Sequence, residues 1–269
     1  MTQSSPNGKP ISRILITNDD GIRGEGLKIL EDVARTLSDD VWVVAPESDQ
    51  SGTSHSVSLH QPLRLYSSDD RHHAVSGTPS DCVLMAVEHL MRDRRPDLIL
   101  SGINRGANLS DAVGYSGTVG AAMTGLLLGI PSIALSQAFR DGDAIQWATS
   151  SQLAPPLLYE LSRRGWPDDV CLNINFPDIP SHEVAGVRFC RPARGGISGV
   201  EVDARRDSRD QPYYWLGFRH AASGVRVPGS DVDTLRHGYV AISPLHFERS
   251  IDTHWAELAE DLSGTIRGQ

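Results

Sequence analysis

Two carboxylates stand side by side at Asp19 and Asp20, between Asn18 and Gly21, directly after the apolar run Ile14-Leu15-Ile16. Adjacent negative charges repel, so a fold that fixes them together needs a reason. A bound cation is one: Asp19 and Asp20 offer hard oxygen ligands, with the neutral amide of Asn18 beside them. A polar turn is the other, because Asn, Asp and Gly each favour turns. A second candidate is Ser116-Gly117-Thr118, set among the small residues from Gly114 to Ala122 and leading into a helical run. Its hydroxyls, and the free N–H groups of a helix start, suit a phosphate. The same residues also suit a plain capped helix, with Ser116 or Thr118 as cap and the small residues allowing close packing.

These residues need elements to hold them. Arg13–Thr17, Val41–Ala45, Asp97–Leu100, Ser132–Leu135 and Cys171–Ile174 read as strands. Gly26–Leu37 reads as a helix, because Leu27, Leu30, Val33, Ala34 and Leu37 recur at helical spacing. Ser80–Met91, Thr118–Leu128 and Ala144–Leu161 are further helices. Continuous apolar strands alternating with helices predict a mostly parallel sheet covered on both faces, an α/β, Rossmann-like, doubly wound core. Val57–Tyr66 and His73–Ser76 read as short antiparallel strands inserted after the second strand. Beyond Pro177, Val187–Arg191 and Tyr213–Arg219 read as strands. The Gly- and charge-rich stretch from Arg194 to Gln211 joins them as an extended hairpin arm or a loop. A short helix from Val232, a strand at Tyr239–Ile242 and a terminal helix at Thr253–Leu262 complete the chain. The expected organisation is a catalytic core over 11–192, with the inserted strands near 57–76. A C-terminal part over 193–269 would hold the β-hairpin arm, a strand and the terminal helix.

In such a sheet, ligands bind beyond the carboxyl ends of the strands, near the point where strand order reverses. Polar residues gather there from three loops: Asn18-Asp19-Asp20, Pro46 to Thr53, and Ser101 to Asn108. Their Asp, Ser and Asn oxygens make a plausible Mg²⁺ or Mn²⁺ site. His55 lies beside this cluster as a proton shuttle or a solvated capping residue. Asp81 starts a helix, where capping accounts for it.

Other chemistries are disfavoured. Gly21 and Gly26 have the spacing of a phosphate-binding P-loop, but Leu27 stands where Lys is required. No Gly-x-Ser-x-Gly elbow occurs. With 25 basic and 34 acidic side chains the net charge is −9, which argues against long nucleic acid as a partner but not against a small nucleotide. Cys82, Cys171 and Cys190 are widely spaced and suggest neither a disulfide framework nor a zinc site. Met1 to Pro10 is polar, unlike a secretory signal, and the longest apolar stretch, Leu126 to Leu135, is too short to span a bilayer. A cytoplasmic location is expected.

Taken together, the blocks resemble the SurE family of stationary-phase survival proteins, which act as 5′-nucleotidases. The matches are Asn-Asp-Asp-Gly at 18–21, Val-Ala-Pro at 44–46 with Ser-Gly at 51–52, and Ser-Gly-Thr-Pro-Ser-Asp-Cys-Val at 76–83. They continue with Pro-Asp-Leu-Ile-Leu-Ser-Gly-Ile-Asn-Arg-Gly-Ala-Asn at 96–108, Tyr-Ser-Gly-Thr-Val at 115–119 and Gly-Ile-Pro-Ser-Ile-Ala-Leu-Ser at 129–136. Leu-Asn-Ile-Asn-Phe-Pro at 172–177 and Gly-Tyr-Val-Ala-Ile-Ser-Pro-Leu at 238–245 complete them. Ala112, Gly114, Thr124 and Ser243 depart from the family pattern, and none of them is a proposed ligand.

The resemblance implies one divalent ion per subunit, Mg or Mn, on Asp19, Asp20, Ser51 and Asn104. It implies phosphate contacts from Asn18, Asn104, Ser116, Gly117 and Thr118, and catalytic roles for Asp19, Asp20, Asn104, Ser116 and Thr118. It implies hydrolysis of nucleoside 5′-monophosphates, with 3′-nucleotides and short polyphosphate as further substrates. It also implies a homodimer or homotetramer that exchanges C-terminal segments. A non-catalytic nucleotide sensor on the same fold is the competing class.

Overall fold

The computed structural model describes residues 8–140, 142–220, 227–248 and 255–266. Its first half runs through strand β1 (Arg13–Thr17), helix α1 (Glu25–Leu37), strands β2 (Asp40–Pro46), β3 (Leu65–Ser67) and β4 (His72–Val75), and helix α2 (Pro79–Met85). Strand β5 (Leu98–Arg105), helix α3 (Gly117–Leu127), strand β6 (Ser132–Gln137), helix α4 (Trp147–Arg164) and strand β7 (Val170–Phe176) follow. The remainder holds β8 (Gly186–Phe189), the hairpin of β9 (Ile197–Arg206) and β10 (Pro212–His220), α5 (Asp231–Arg236), β11 (Tyr239–His246) and α6 (Trp255–Ile266).

Nine strands form one sheet in the order β3-β4-β2-β1-β5-β6-β7-β11-β8. All pairings from β4 through β7 are parallel. β3 on β4, and β11 on β7, are antiparallel. The chain leaves β1 toward β2 on one side, and returns to pair β5 on the other side of β1. The strand order therefore reverses between β1 and β5, where a doubly wound sheet opens a crevice.

Helices cover both faces because the central strands are buried on both. Every residue of β6 and β7 is buried, as a parallel sheet sandwiched between helix layers requires. Leu27, Leu30, Val33 and Ala34 of α1 pack with Ala154 and Leu158 of α4 against Ile14, Ile16 and Leu100. On the other face, α2 and α3 bring Cys82, Val83 and Ala121 to Leu15, Val44 and Ile99. The expected α/β, mostly parallel, doubly wound architecture with a C-terminal hairpin is thus present.

Three local expectations change. The stretch 57–64 is irregular, and only Leu65–Ser67 pairs with β4. Its backbone is tied elsewhere: the Ser58 amide donates to Asp81 Oδ1 at 2.9 Å, and the Ser56 carbonyl accepts from the Thr78 hydroxyl at 2.6 Å. Strand β5 runs on past Leu100 to Arg105, with an irregularity between Ser101 and Asn104, so Asn104 sits in a strand end and not in a loop. The helix expected over Ser80–Met91 is α-helical only to Met85 and continues as a π-helical turn over Ala86–Leu90. Of the terminal helix, Thr253 and His254 lie outside the described residues. Among the described residues no helix is long and apolar enough to cross a membrane.

Candidate active site

The carboxyl ends of β1, β2 and β5 and the start of α3 meet beside the point of strand reversal. Asp19 is buried at the end of β1. Its Oδ1 accepts the Thr118 hydroxyl at 2.7 Å, and its Oδ2 accepts the Thr118 amide at 3.2 Å. α3 therefore presents its N-terminus to this carboxylate, an arrangement that favours negative charge. The approach is close enough to need glycine at 117, where a Cβ would lie 2.9 Å from Asp19 Cβ.

Asp20 is half-buried, and its Oδ2 accepts the Arg105 amide at 3.2 Å, which joins the ends of β1 and β5. Asn104 commits its side-chain NH₂ to the Gly106 carbonyl at 2.8 Å, leaving its Oδ1 as a ligand-type oxygen. Asn18 commits its NH₂ to the Gly21 carbonyl at 2.9 Å, and its buried Oδ1 finds no acceptable donor. The loop after β2 is drawn in by two main-chain bonds. The Gln50 amide donates to the Asp19 carbonyl at 2.8 Å, and Ile22 donates to Pro46 at 2.7 Å. Gly21 adopts φ +93° with Ser48 against it, a position where a side chain would be strained. Ser51 occupies the exposed turn of this loop, its amide held by Asp49 Oδ1 at 2.8 Å.

Burial pushes the Asp19 carboxyl up to about 6, and the neighbouring Asp20 adds to the rise, while the Thr118 hydroxyl opposes it. Burial also raises Asp20, Asp49 adds to that, and the amide and charge of Arg105 pull it back. Among the described residues, the charged neighbour that shifts Asp19 is thus another carboxylate, Asp20. A divalent cation would supply the missing positive charge. The donors fit a hard ion, because two carboxylates are joined by amide and hydroxyl oxygens and no thiolate is at hand. No group of three or more His, Cys, Asp or Glu gathers among the described residues, so such an ion would depend on these neutral oxygens.

Ser116 is the N-cap of α3, and its Oγ accepts the Val119 amide at 3.1 Å, which leaves its hydroxyl proton to donate. Thr118 is fully buried and spends its hydroxyl on Asp19. The expected phosphate contact from Thr118 therefore meets a side chain turned toward the carboxylate, where it orients Asp19. His55 lies against Ser54 and lines a groove with Val57 and Leu84, and with Thr124 and Leu127 of the C-terminal half of α3. Asp81 closes a capping box with Thr78 through Oδ2 and pins the Ser58 amide through Oδ1, so one capping bond and one loop bond account for its oxygens.

Sequence reasoning missed a set of asparagines behind the site. The Asn108 side-chain NH₂ donates to Ser136 Oγ at 2.9 Å and, at 3.4 Å, to the Thr118 Oγ1 that holds Asp19. Asn108's own backbone is clamped by β7: its amide donates to Asn175 Oδ1 at 2.8 Å, and its carbonyl accepts from Asn173 at 2.8 Å. Asn173 and Asn175 are fully buried, a costly placement unless their bonds fix something. Two amides at i and i+2 inside the apolar run Cys171–Phe176 were the available signal.

Comparison with known proteins follows the same lines. The family model for survival protein SurE matches residues 14–198. The 5′-nucleotidase SurE 1 of Burkholderia lata is 51% identical over 252 residues, covering 93% of this chain and 96% of that protein. The 5′-nucleotidase SurE of Parvibaculum lavamentivorans is 50% identical over 264 residues, covering 97% of this chain and 94% of that protein. Among solved structures, the SurE protein of Aquifex aeolicus superposes with a TM-score of 0.78 at 31% identity, covering 93% of this chain and 99% of that one.

Proposed function

The chain belongs to the survival protein SurE family, and on that premise we propose that it is a metal-dependent phosphomonoesterase that hydrolyses nucleoside 5′-monophosphates to nucleoside and phosphate. Relatives that carry the 5′-nucleotidase name at about half identity span nearly the whole chain. The single observation that carries the chemistry is the buried Asp19 beside Asp20 at the head of α3, an acidic pair that a divalent ligand would neutralise. A non-catalytic sensor has no observation on its side.

Asp19, Asp20, Ser51 and Asn104 would hold one divalent ion, Mg or Mn. When bound, that ion supplies Lewis-acid charge and a water of lowered pKa. The chain's own groups do the rest. Asp20, the more exposed carboxylate, orients the attacking water and takes its proton as the new P–O bond forms; the P–O5′ bond breaks, and the departing nucleoside oxygen takes a proton back from Asp20 through solvent. The Ser116 hydroxyl and the Gly117 amide donate to the phosphate oxygens as charge builds on them. They are flanked by the second N–H of the Asn18 and Asn104 side-chain amides, whose first N–H is held by Gly21 and Gly106. Thr118 acts from behind, holding Asp19 in one rotamer. The same phosphate site accepts 3′-nucleotides and short polyphosphate as further substrates. We place the enzyme in the cytoplasm as a homodimer or homotetramer that exchanges C-terminal segments, with residues 11–192 as catalytic core and 193–269 as the assembly part.

The test is phosphate release from AMP and GMP with Mn²⁺, then with EDTA. Release that EDTA abolishes and Mn²⁺ restores is the expected result, and release indifferent to EDTA contradicts the metal assignment.

A further inference from the structure

The residue just before the phosphate loop is Tyr115, and its ring is not used by anything above. It is 48% exposed, which leaves a face open. One edge leans on Phe218 of β10 with ring centroids 4.8 Å apart. Beside it lies an open cavity of about 570 Å³ lined by Asp111, Gly114, Tyr115, Arg194 and Ile197. One wall is therefore the turn that leads into α3, and the other is the root of the β9–β10 hairpin.

That root is fixed in place. Asp111 Oδ2 accepts the Gly195 amide at 2.8 Å and the Ile197 amide at 3.3 Å. The buried Asp231 accepts the Ser110 amide at 2.7 Å and the Ala193 amide at 3.4 Å. Ser110 Oγ also donates to the Ala193 carbonyl and accepts the Gly196 amide. These bonds use backbone and carboxylates, and they leave Tyr115, Arg194 and Ile197 as side chains lining the space, with Arg194 near enough to Asp111 for its charge to act on that carboxylate. Tyr115 lies three residues before Thr118, whose amide sits on Asp19. Three Cα steps place it within about 11 Å of that amide, a span a nucleotide bridges.

Resting on the phosphomonoesterase reading, we infer that this cavity takes the nucleoside of the substrate, with the base stacked on Tyr115 and its polar edge read by Arg194. An aromatic face accepts any base, because every base has a π-face. A guanidinium adds planar donors to the acceptors of a purine or pyrimidine edge. The hairpin arm thereby carries part of the substrate pocket, through Arg194, Ile197 and the support of Phe218.

The test compares kcat/KM for AMP with that for ribose 5-phosphate, which keeps sugar and phosphate but lacks the base, on the full chain with Mn²⁺. Tyr115 anchors the loop through its backbone, where its carbonyl accepts the Ser54 amide at 3.1 Å, so Tyr115→Ala keeps that tie. In Tyr115→Ala the AMP to ribose 5-phosphate ratio falls about tenfold, mainly through KM for AMP, as loss of one stacked base implies. Tyr115→Phe keeps the ratio, and Arg194→Gln lowers it less than Tyr115→Ala does. A ratio unchanged in Tyr115→Ala overturns the subsite, and so does a ratio lost in Phe139→Ala instead, which places the base on the Arg105–Phe139 stack. Either of those leaves EDTA-sensitive turnover intact and the phosphomonoesterase reading standing. A wild-type chain that releases phosphate from neither substrate overturns both.

Discussion

Thr118 shows how much one side chain decides in this site. Its hydroxyl and amide together fix both oxygens of a buried carboxylate that no basic group among the described residues is seen to neutralise. Thr118→Val keeps the shape and removes the hydroxyl donor. Titration calorimetry should show about a tenfold loss of Mn²⁺ affinity, in line with removal of one charge-assisted hydrogen bond; unchanged affinity would contradict the orienting role. The pH dependence has a definite sign. Asp19 in the fold ionises near 6, above its unfolded value of 3.8. In the metal-free protein the protonated carboxyl is therefore favoured by folding. That contribution is complete below pH 4 and is lost as pH rises through about 6. A cation acts only on the ionised form, so the gain in Tm on adding Mn²⁺ should be small at pH 5 and larger at pH 7.5. A gain that does not change with pH would speak against Asp19 as a ligand. At this scale the sequence was legible where neighbours in the chain are neighbours in space, as in Asn18-Asp19-Asp20. It was not legible where a donor's partner lies 99 residues away, as for Thr118 and Asp19, or where buried asparagines act through another residue's backbone.

The elements place these residues through a few close approaches. α1 lies so near β5 that a Cβ on Gly26 would sit 1.9 Å from the Ile103 carbonyl oxygen. That atom is backbone, one residue before Asn104, so Gly26→Ala must push the strand end or the helix. We expect about 1–3 kcal/mol of destabilisation in urea unfolding, together with weaker Mn²⁺ binding. Gly217→Ala, where a Cβ meets nothing within 4 Å, should stay within about 0.5 kcal/mol. Wild-type stability in Gly26→Ala would show that the close packing of α1 is dispensable. The strands and helices themselves were legible because burial writes continuous apolar runs for parallel strands and a stripe for α1. The segment 57–64 misled because its apolar residues Val57 and Leu59 are exposed and its Ser58 amide serves Asp81, which no local pattern announces. The length of β5 was hidden for a similar reason, since Ser101-Gly102 reads as a turn until its neighbour β6 is in place.

At the scale of the whole molecule, the β9–β10 hairpin forms its own two-stranded sheet, apart from the main one. It exposes Tyr214, Trp215 and Leu216, the last at 75%. An isolated hairpin is marginal in water, and such a patch marks a contact surface. We propose a second copy of the chain as the partner for this patch. Light scattering should give a dimer or tetramer for the wild type. The double substitution Trp215→Glu with Leu216→Glu should give a smaller species with the core intact; a wild-type monomer would remove the arm from assembly. Composition hinted at an arm, but only the pinning of its root by Asp111 and Asp231 places it beside the site. The central claim is that Asp19 and Asp20 anchor the cation of a phosphomonoesterase, and phosphate release from AMP with Mn²⁺ tests it most directly in the wild type, Asp19→Asn and Asp20→Asn. The account predicts EDTA-sensitive release by the wild type and a loss of at least about 100-fold in each variant; near-normal release by both variants would contradict it.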